Sequence, residues 1–460
     1  MLRARQPLWQ SEGMATDYYL VSDLHIGGDE QLRHCEFESE FVAFLRGLEA
    51  SAAAAPADET TELVVLGDAF GLWEFTEVDG LAKFDVLVES YPELFDQLRT
   101  TGERIEVTFI PGNHDYELAC DPAWVDRLAA YNVTLEQELH LVRDLDGRQI
   151  WIEHGMQQDP NNHIPDFGNP YANPAGYFVN RHVTSTAGRL SDRGRYNWLK
   201  DIQSVQPMTE IPRWMASNYY YREMSPLLRY ASVPFLVTFY VSLLVLASDV
   251  AATVTGIRAL ELETYLTALG VVGDAVNVVI GINILFVLLS LVFAVPLFFF
   301  ARDARRTLRR FRFIPDEDEE LDEEEGPDER YLDAAREVFA EHPRVVAFVY
   351  GHTHRASLTE LDGRYVLNTG TWLKILQRVR TPFTFLPRVY RPRFRLNYFH
   401  LHETDGEFAV DYHVVPKANP KELSWLERLF SVGAKSPEPI PERTVVDRSV
   451  GAESATAEAD

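Results

Sequence analysis

Two stretches without a single charged residue, Tyr230–Ser248 and Ala275–Ala301, constrain this chain more than any other feature. They run for 19 and 27 residues. At helical rise the shorter covers roughly 28 Å, close to the hydrocarbon thickness of a bilayer. A buried core helix is the alternative for either run alone; two such runs close together favour a pair of membrane spans. Trp214, Tyr219, Tyr220 and Tyr221 precede the first run, as an interfacial aromatic belt would. Arg213, Arg222 and Arg229 lie before it, and Arg302, Arg305, Arg306, Arg309, Arg310 and Arg312 follow the second. The connecting segment carries one arginine, Arg258, beside Glu261 and Glu263. Basic flanks face the cytoplasm, so the pattern predicts a hairpin that leaves and returns on the cytoplasmic side of the cell membrane. The segments on either side can then form one unit, whereas a third span within 251–273 would separate them.

Those flanking segments read as strands and helices. "DYYLVS" precedes "DLH", "ELVVL" precedes "GD", "IEVTFIP" precedes "GNHD", "QIWIE" precedes "HG", and "VVAFVY" precedes "GHTH". Each run is short, β-branched or aromatic, and stops at Gly, Asn, Asp or His. "EFESEFVAFLRGLEA" places apolar residues at helical intervals. The alternation predicts an α/β fold whose ligands sit at the carboxyl ends of the strands.

The polar clusters at those ends are Asp23 and His25, Asp68, Asn113 with His114 and Asp115, His154, and His352 with His354. A lone Asp-x-His is most often a turn with a satisfied histidine. Five clusters at successive strand ends point to metal chemistry. Carboxylates, an amide oxygen and neutral imidazoles suit Mn, Fe or Zn better than a thiolate-seeking ion, with Mn favoured. Two divalent ions about 3.5–4 Å apart clamp a phosphate and acidify a water. A histidine outside the ligand set can protonate the leaving oxygen.

With these words in hand, the chain resembles the calcineurin-like metallophosphoesterase superfamily over roughly 17–160 and 340–415. The resemblance implies a two-sheet β-sandwich flanked by helices, into which the apolar hairpin is inserted. It implies that Asp23, His25 and His354 hold one metal, that Asn113, His154 and His352 hold a second, and that Asp68 bridges them. It further implies that His114 is the general acid, steered by Asp115. "GDAFGLWEF" and "GHTHRAS" look closest to UDP-2,3-diacylglucosamine hydrolase-like members, which cleave a pyrophosphate on a lipid-linked sugar nucleotide. "HGM" at 154–156 departs from the pattern, lacking the Asp or His that often follows the glycine, and the hairpin is not a standard family part.

The expected organisation is an N-terminal tail (1–16, with Met14 an alternative start), a first catalytic segment (17–205), and the inserted hairpin (206–314). An acidic linker (315–330), a second catalytic segment (331–425) and a disordered tail (426–460) follow. In the loop after His154, Asp159, Asn161 and His163 are candidate substrate contacts; a polar loop of Asx turns is the competing reading. Between Gly363 and His402 there is no acidic residue, although the chain's formal net charge is −27. That window holds Arg378, Arg380, Arg388, Arg391, Arg393 and Arg395, interleaved with Phe383, Phe385, Tyr390 and Phe394. Either it is an edge-strand meander, or Arg388, Arg391 and their neighbours face phosphate or membrane lipids. The acid excess and only six lysines suggest a halophile-like surface and argue against a nucleic-acid partner. Cys35 and Cys120 imply no disulfide framework.

Three readings of function follow. The leading one is a membrane-anchored dinuclear phosphoesterase or pyrophosphatase acting on a phosphate ester or a lipid-linked nucleotide pyrophosphate at the cytoplasmic face. In the second, the substrate is soluble and nucleotide-like and the hairpin is only an anchor. The third, an inactive scaffold, fits poorly because every expected ligand is present.

Overall fold

The computed structural model describes residues 16–28, 35–56, 59–145, 147–186, 199, 201–205, 210–256, 266–310, 329–379, 381, 386–404, 407–431, 439–447 and 450. Its strands, in chain order, are β1 (Thr16–Val21), β2 (Thr60–Leu66), β3 (Glu106–Ile110), β4 (Thr134–Leu135), β5 (His140–Leu145), β6 (Arg148–Glu153), β7 (Val345–Tyr350), β8 (Ser357–Leu361), β9 (Arg364–Asn368), β10 (Ile375–Val379), β11 (Val389–Arg393), β12 (Leu396–Thr404), β13 (Glu407–Val415) and β14 (Arg443–Val446). One sheet has the order β14-β13-β12-β1-β2-β3-β4, a second β5-β6-β7-β9-β8, and β10 and β11 form a hairpin. The architecture is mixed α/β with several sheets. Strands from before and after the apolar runs share both large sheets, so the two halves of the chain fold as one unit.

Strand alternation explains the layering. Tyr18 and Leu20 of β1 and Val64 and Leu66 of β2 point between the sheets, against Ile150, Ile152, Ala347 and Val349. Their neighbours Tyr19, Val21, Leu63 and Val65 point outward, onto Phe41 and Leu45 of the helix Glu38–Ala54 and Leu94 and Leu98 of the helix Pro92–Thr101. Both faces of β1 and β2 are therefore apolar, as parallel strands covered on both sides require. The helix Glu329–Glu341 covers the outer face of the second sheet through Tyr331, Ala335 and Phe339. β1, β2 and β3 run parallel in the first sheet and β6, β7 and β9 in the second. Their carboxyl ends meet at one edge of the sandwich.

The uncharged runs lie in two long helices, Pro226–Thr255 and Val271–Arg310. Ser225 caps the first, Pro226 occupies its first turn, and Gly256 ends it at φ 74°. Over Val237–Thr255 and Val271–Ala294 both are long and apolar enough to cross a membrane. Only 6% and 19% of those windows are buried, whereas a core helix would be mostly covered. The helices pack on each other through Phe239 and Phe286, and Asn283 donates from Nδ2 to Thr238 Oγ1 at 3.4 Å.

The tail expectation needs correction. Residues 426–460 were expected to be without structure. Instead Trp425–Phe430 is a helix with a Ser424–Glu427 capping box, and Arg443–Val446 pair with β13. Val446 is fully buried between the sheets. A four-residue strand held by partners 32 to 38 residues earlier has no local signature. The N-terminal tail through residue 15, most of the acidic linker, Arg380, Arg312, Phe383, Phe385, Arg258, Glu261 and Glu263 lie outside the described residues.

Candidate metal centre

Each cluster sits just past a strand. Asp23 and His25 follow β1, Asp68 follows β2, Asn113 and His114 follow β3, His154 follows β6, and His352 and His354 follow β7. The chain must turn sharply here to present side chains at the rim. Asp23, His25, Asp68, His352 and His354 all have positive φ, and they are five of the seven such non-glycine residues among those described. That left-handed backbone costs roughly 1–2 kcal/mol per residue, and such strain clusters at functional sites. Gly67 and Gly112 fit because a Cβ on either would overlap His154 or Asp68.

The side chains converge in two groups. In one, His25 Nε2 lies 3.2 Å from His354 Nε2, and His354 Nε2 lies 3.1 Å from Asp23 Oδ1. In the other, His154 Nε2 lies 3.0 Å from Asn113 Oδ1 and 3.3 Å from His352 Nδ1. Asp68 stands between them. Its Oδ2 is 3.4 Å from His25 Nε2 and 3.4 Å from His154 Nε2. Its Oδ1 accepts the His114 backbone N–H at 2.7 Å, which fixes the carboxylate. The structure thus brings together all seven residues expected as ligands.

Several features fit cations. Donors spaced 3.0–3.4 Å apart match N and O ligands about 2.0–2.2 Å from a shared ion. Asp23 Oδ1 is buried without a hydrogen bond. The groups Asp23–His25–His354 and Asp23–Asp68–His154 each offer ligand atoms within 4.8 Å of one another. The field is strongly negative: burial pushes His154 down, yet Asp68 and Asp23 raise it to about 10. A proton is one way to supply positive charge there, and a divalent cation is another.

Outer partners set the imidazole orientations. His154 Nδ1 donates to Leu66 O at 3.0 Å, which directs Nε2 inward. His352 Nε2 meets Asp159 Oδ2 at 3.0 Å, which directs Nδ1 inward. Asp159 therefore touches the site through His352. Burial raises its carboxyl, but the His352 contact outweighs that and holds it well below the usual range. Asn161 contributes its backbone N–H to Asp159, and His163 Nδ1 meets Gln157 O at 3.1 Å. Those two residues shape the turn, as the polar-loop reading expects. "NTGTW" went unremarked in the sequence, yet it braces the rim. Asn368 Nδ2 donates to Gly351 O, and Thr371 Oγ1 donates to Asp23 O.

The expectation that Asp115 steers His114 is corrected. Asp115 accepts from Gly112 N at 2.6 Å and Phe70 N at 3.2 Å, pinning two loops together. Glu74 takes the steering position: its Oε1 lies 2.9 Å from His114 Nδ1. Asn180 Nδ2 donates to the same oxygen at 3.0 Å. Burial lowers the His114 pKa, but the Glu74 and Asp68 charges raise it to about 9. Both carboxylates favour the charged form of the ring, and Nε2 is not the nitrogen that meets Glu74.

Arg388 and Arg391 are exposed on the β10–β11 hairpin. Tyr390 and Leu376 of that hairpin pack on Trp214, and Tyr221 donates to Pro387 O at 2.8 Å, so it lies against the segment leading into the first apolar helix. Arg378 pairs with Glu210, and Arg395 lies over the Tyr412 ring.

A family model of calcineurin-like phosphoesterases matches residues 18–245. No curated protein matches the chain. Among solved structures, a protein of Streptococcus pneumoniae TIGR4 described as a predicted phosphoesterase matches at 10% identity, covering 90% of this chain and 97% of its own, with a TM-score of 0.26. Vacuolar protein sorting 29 of Cryptosporidium parvum matches at 11% identity over 88% and 100% of the two chains, with a TM-score of 0.23. Phosphopantetheinyl hydrolase of Mycobacterium tuberculosis matches at 13% identity over 78% and 91%, with a TM-score of 0.24. At TM-scores this low the three likenesses carry no argument. The family match and the words it spans place this chain in the calcineurin-like phosphoesterase family, as a metal-dependent phosphoester hydrolase.

Proposed function

We propose that this hydrolase is a membrane-anchored dinuclear enzyme that cleaves a lipid-linked nucleotide pyrophosphate at the cytoplasmic face. The observation that carries the dinuclear reading is Asp68 Oδ2, 3.4 Å from His25 Nε2 and from His154 Nε2. Asp23, His25 and His354 would hold one ion and Asn113, His154 and His352 the other, with Asp68 between the two groups. The all N/O donor set favours manganese. When bound, the two ions supply Lewis-acid polarisation of the phosphoryl group and a lowered pKa for the attacking water.

The chain's own residues do the rest. His114 donates the proton on Nε2 to the leaving oxygen as its bond to phosphorus breaks. Glu74 holds the ring by Nδ1 and stabilises its charged form. Asp115 keeps the loops carrying Asp68 and His114 in register.

The exposed apolar helices support the anchor. Leu227 and Leu228 in the first turn, and Phe293, Phe298 and Phe300 further on, are more than half exposed. Trp425, itself exposed, stacks on Tyr230 at 6.1 Å, which suits a headgroup-level belt. The hairpin bearing Arg388 and Arg391 sits beside that belt, so a substrate with phosphate at headgroup level would meet arginine. The catalytic unit is then 17–205 with 331–425, and 206–314 is the insertion.

The test is hydrolysis by the purified protein in liposomes with added manganese. Substrates would be phosphomonoesters, aryl phosphodiesters and nucleotide–lipid pyrophosphates. Preferred cleavage of the lipid-linked pyrophosphate is expected. Cleavage of soluble nucleotide diesters alone would leave the anchor reading and remove the lipid-linked one.

A further inference from the structure

We propose that the outer face of the first sheet carries a separate site for a zinc-class divalent cation, held by His400, Asp411 and His413. Strand register assembles it. His400 lies opposite Tyr19 of β1 on one side and opposite Asp411 of β13 on the other. His413 lies opposite Tyr398, so with side chains alternating it shares the face of His400 and Asp411. Asp17 and His402 stand on the same face one pair further along. His400 pairs with Tyr19, four residues or about 13 Å along β1 from Asp23 at strand rise, and none of the three residues belongs to the metal cluster. The site is therefore distinct from the catalytic cluster.

The donors fit a cation better than each other. His400, Asp411 and His413 offer ligand atoms all within 4.8 Å of one another. His400 Nε2 and Asp411 Oδ1 are both buried and make no hydrogen bond, although such atoms rarely go unpartnered in folded proteins. Asp17 Oδ2 approaches His400 Nε2 to 3.3 Å without making one. Arg443 Nε lies 3.8 Å from Asp411 Oδ1. Two carboxylates and three imidazoles thus meet on one face, in a chain of net charge −27.

Ring geometry decides which donors share the ion. His400 and His402 are stacked at 4.3 Å with 14° between their planes. An imidazole binds metal in its own plane, so two stacked rings cannot aim at one point. His402 is occupied otherwise: its Nε2 meets Asp411 Oδ2 at 3.0 Å, and Thr404 Oγ1 meets its Nδ1 at 2.8 Å. That arrangement orients Asp411 from outside, as histidine–carboxylate pairs do around metals. Tyr19 stacks on His400 at 4.2 Å and Tyr398 on His413 at 4.9 Å, holding both rings. His413 is exposed, so an ion has a route in. Imidazole and carboxylate without thiolate select Zn or a neighbouring late first-row ion over Mg or Ca.

The experiment uses the full chain in detergent, stripped with chelator and titrated with Zn²⁺ against a chromophoric chelator. His400→Ala with His413→Ala should bind one equivalent of zinc fewer than the unmodified protein while still hydrolysing an aryl phosphodiester with manganese. His413→Ala alone, at an exposed position, should weaken that equivalent at least tenfold and serves if the double variant folds poorly. Unchanged zinc equivalents and affinity in the folded variants would overturn the proposal. So would loss of hydrolysis together with the zinc in both variants, because the ion would then belong to the catalytic centre.

Discussion

Glu74→Gln neutralises the carboxylate that meets His114 Nδ1. The structure puts Glu74 Oε1 2.9 Å from His114 Nδ1, with both groups withdrawn from solvent. His114 rises from 6.5 to about 9 under Glu74 and Asp68 together, against burial. That rise corresponds to about 3 kcal/mol of preference for the charged ring. If Glu74 supplies most of it, the glutamine variant loses about 2 pKa units. The acid form is the active one, so rate falls as pH climbs through the His114 pKa. A value near 9 leaves about nine-tenths of the enzyme competent at pH 8, and a value near 7 about one-tenth. The alkaline limb of kcat should therefore move to lower pH by about 2 units, with about a tenfold loss at pH 8 and a much smaller loss at pH 6. Bound cations lower His114 in both proteins alike, so the displacement between the two curves is the quantity to read. The assay is kcat against pH for phenyl and p-nitrophenyl phosphodiesters, with metal content measured alongside. The shift should be largest for phenyl, the poorer leaving group. Superimposable alkaline limbs with equal metal content would refute the steering role of Glu74.

Three further outcomes are expected. Asp68→Asn removes the charge facing both groups and should reduce both metal equivalents and turnover by more than roughly 10²-fold; two full equivalents by elemental analysis would contradict the bridge. Asp159→Asn weakens the partner of His352 and should lower metal affinity by roughly 10–100-fold, read by chelator competition. Arg388→Gln with Arg391→Gln should slow cleavage of a liposome-embedded pyrophosphate while sparing a soluble aryl diester, and the gap should narrow in high salt. Equal losses on both substrates would assign those arginines to another role.

What the sequence made legible was local. β1, β2, β3, β6 and β7 each announce themselves by a β-branched run ending in a polar word, and the side chains that converge in the structure stand one to four residues beyond. That is why Asp23, Asp68, His154 and His352 stand out as candidates without a structure. Glu74 could not be found by period, because it closes a one-turn helix, Leu72–Glu74, inside an apolar loop. Its only signal was a carboxylate embedded in "GLWEF". Asp115 was the obvious neighbour of His114 in sequence, but adjacent residues point apart, and its oxygens went to backbone amides. The contact of Asp159 with a histidine 193 residues away has no local signal either. β14 and the His400 face likewise depend on long-range register. The two apolar helices were fully legible, because uncharged length is itself the signal.

The central claim is that Asp68 joins two ions, and anomalous scattering from manganese-loaded crystals tests it most directly. The account predicts two peaks about 3.5–4 Å apart. One should lie among Asp23, His25 and His354, the other among Asn113, His154 and His352, with Asp68 Oδ2 within bonding distance of both. A single peak, or two peaks that Asp68 does not bridge, would contradict it.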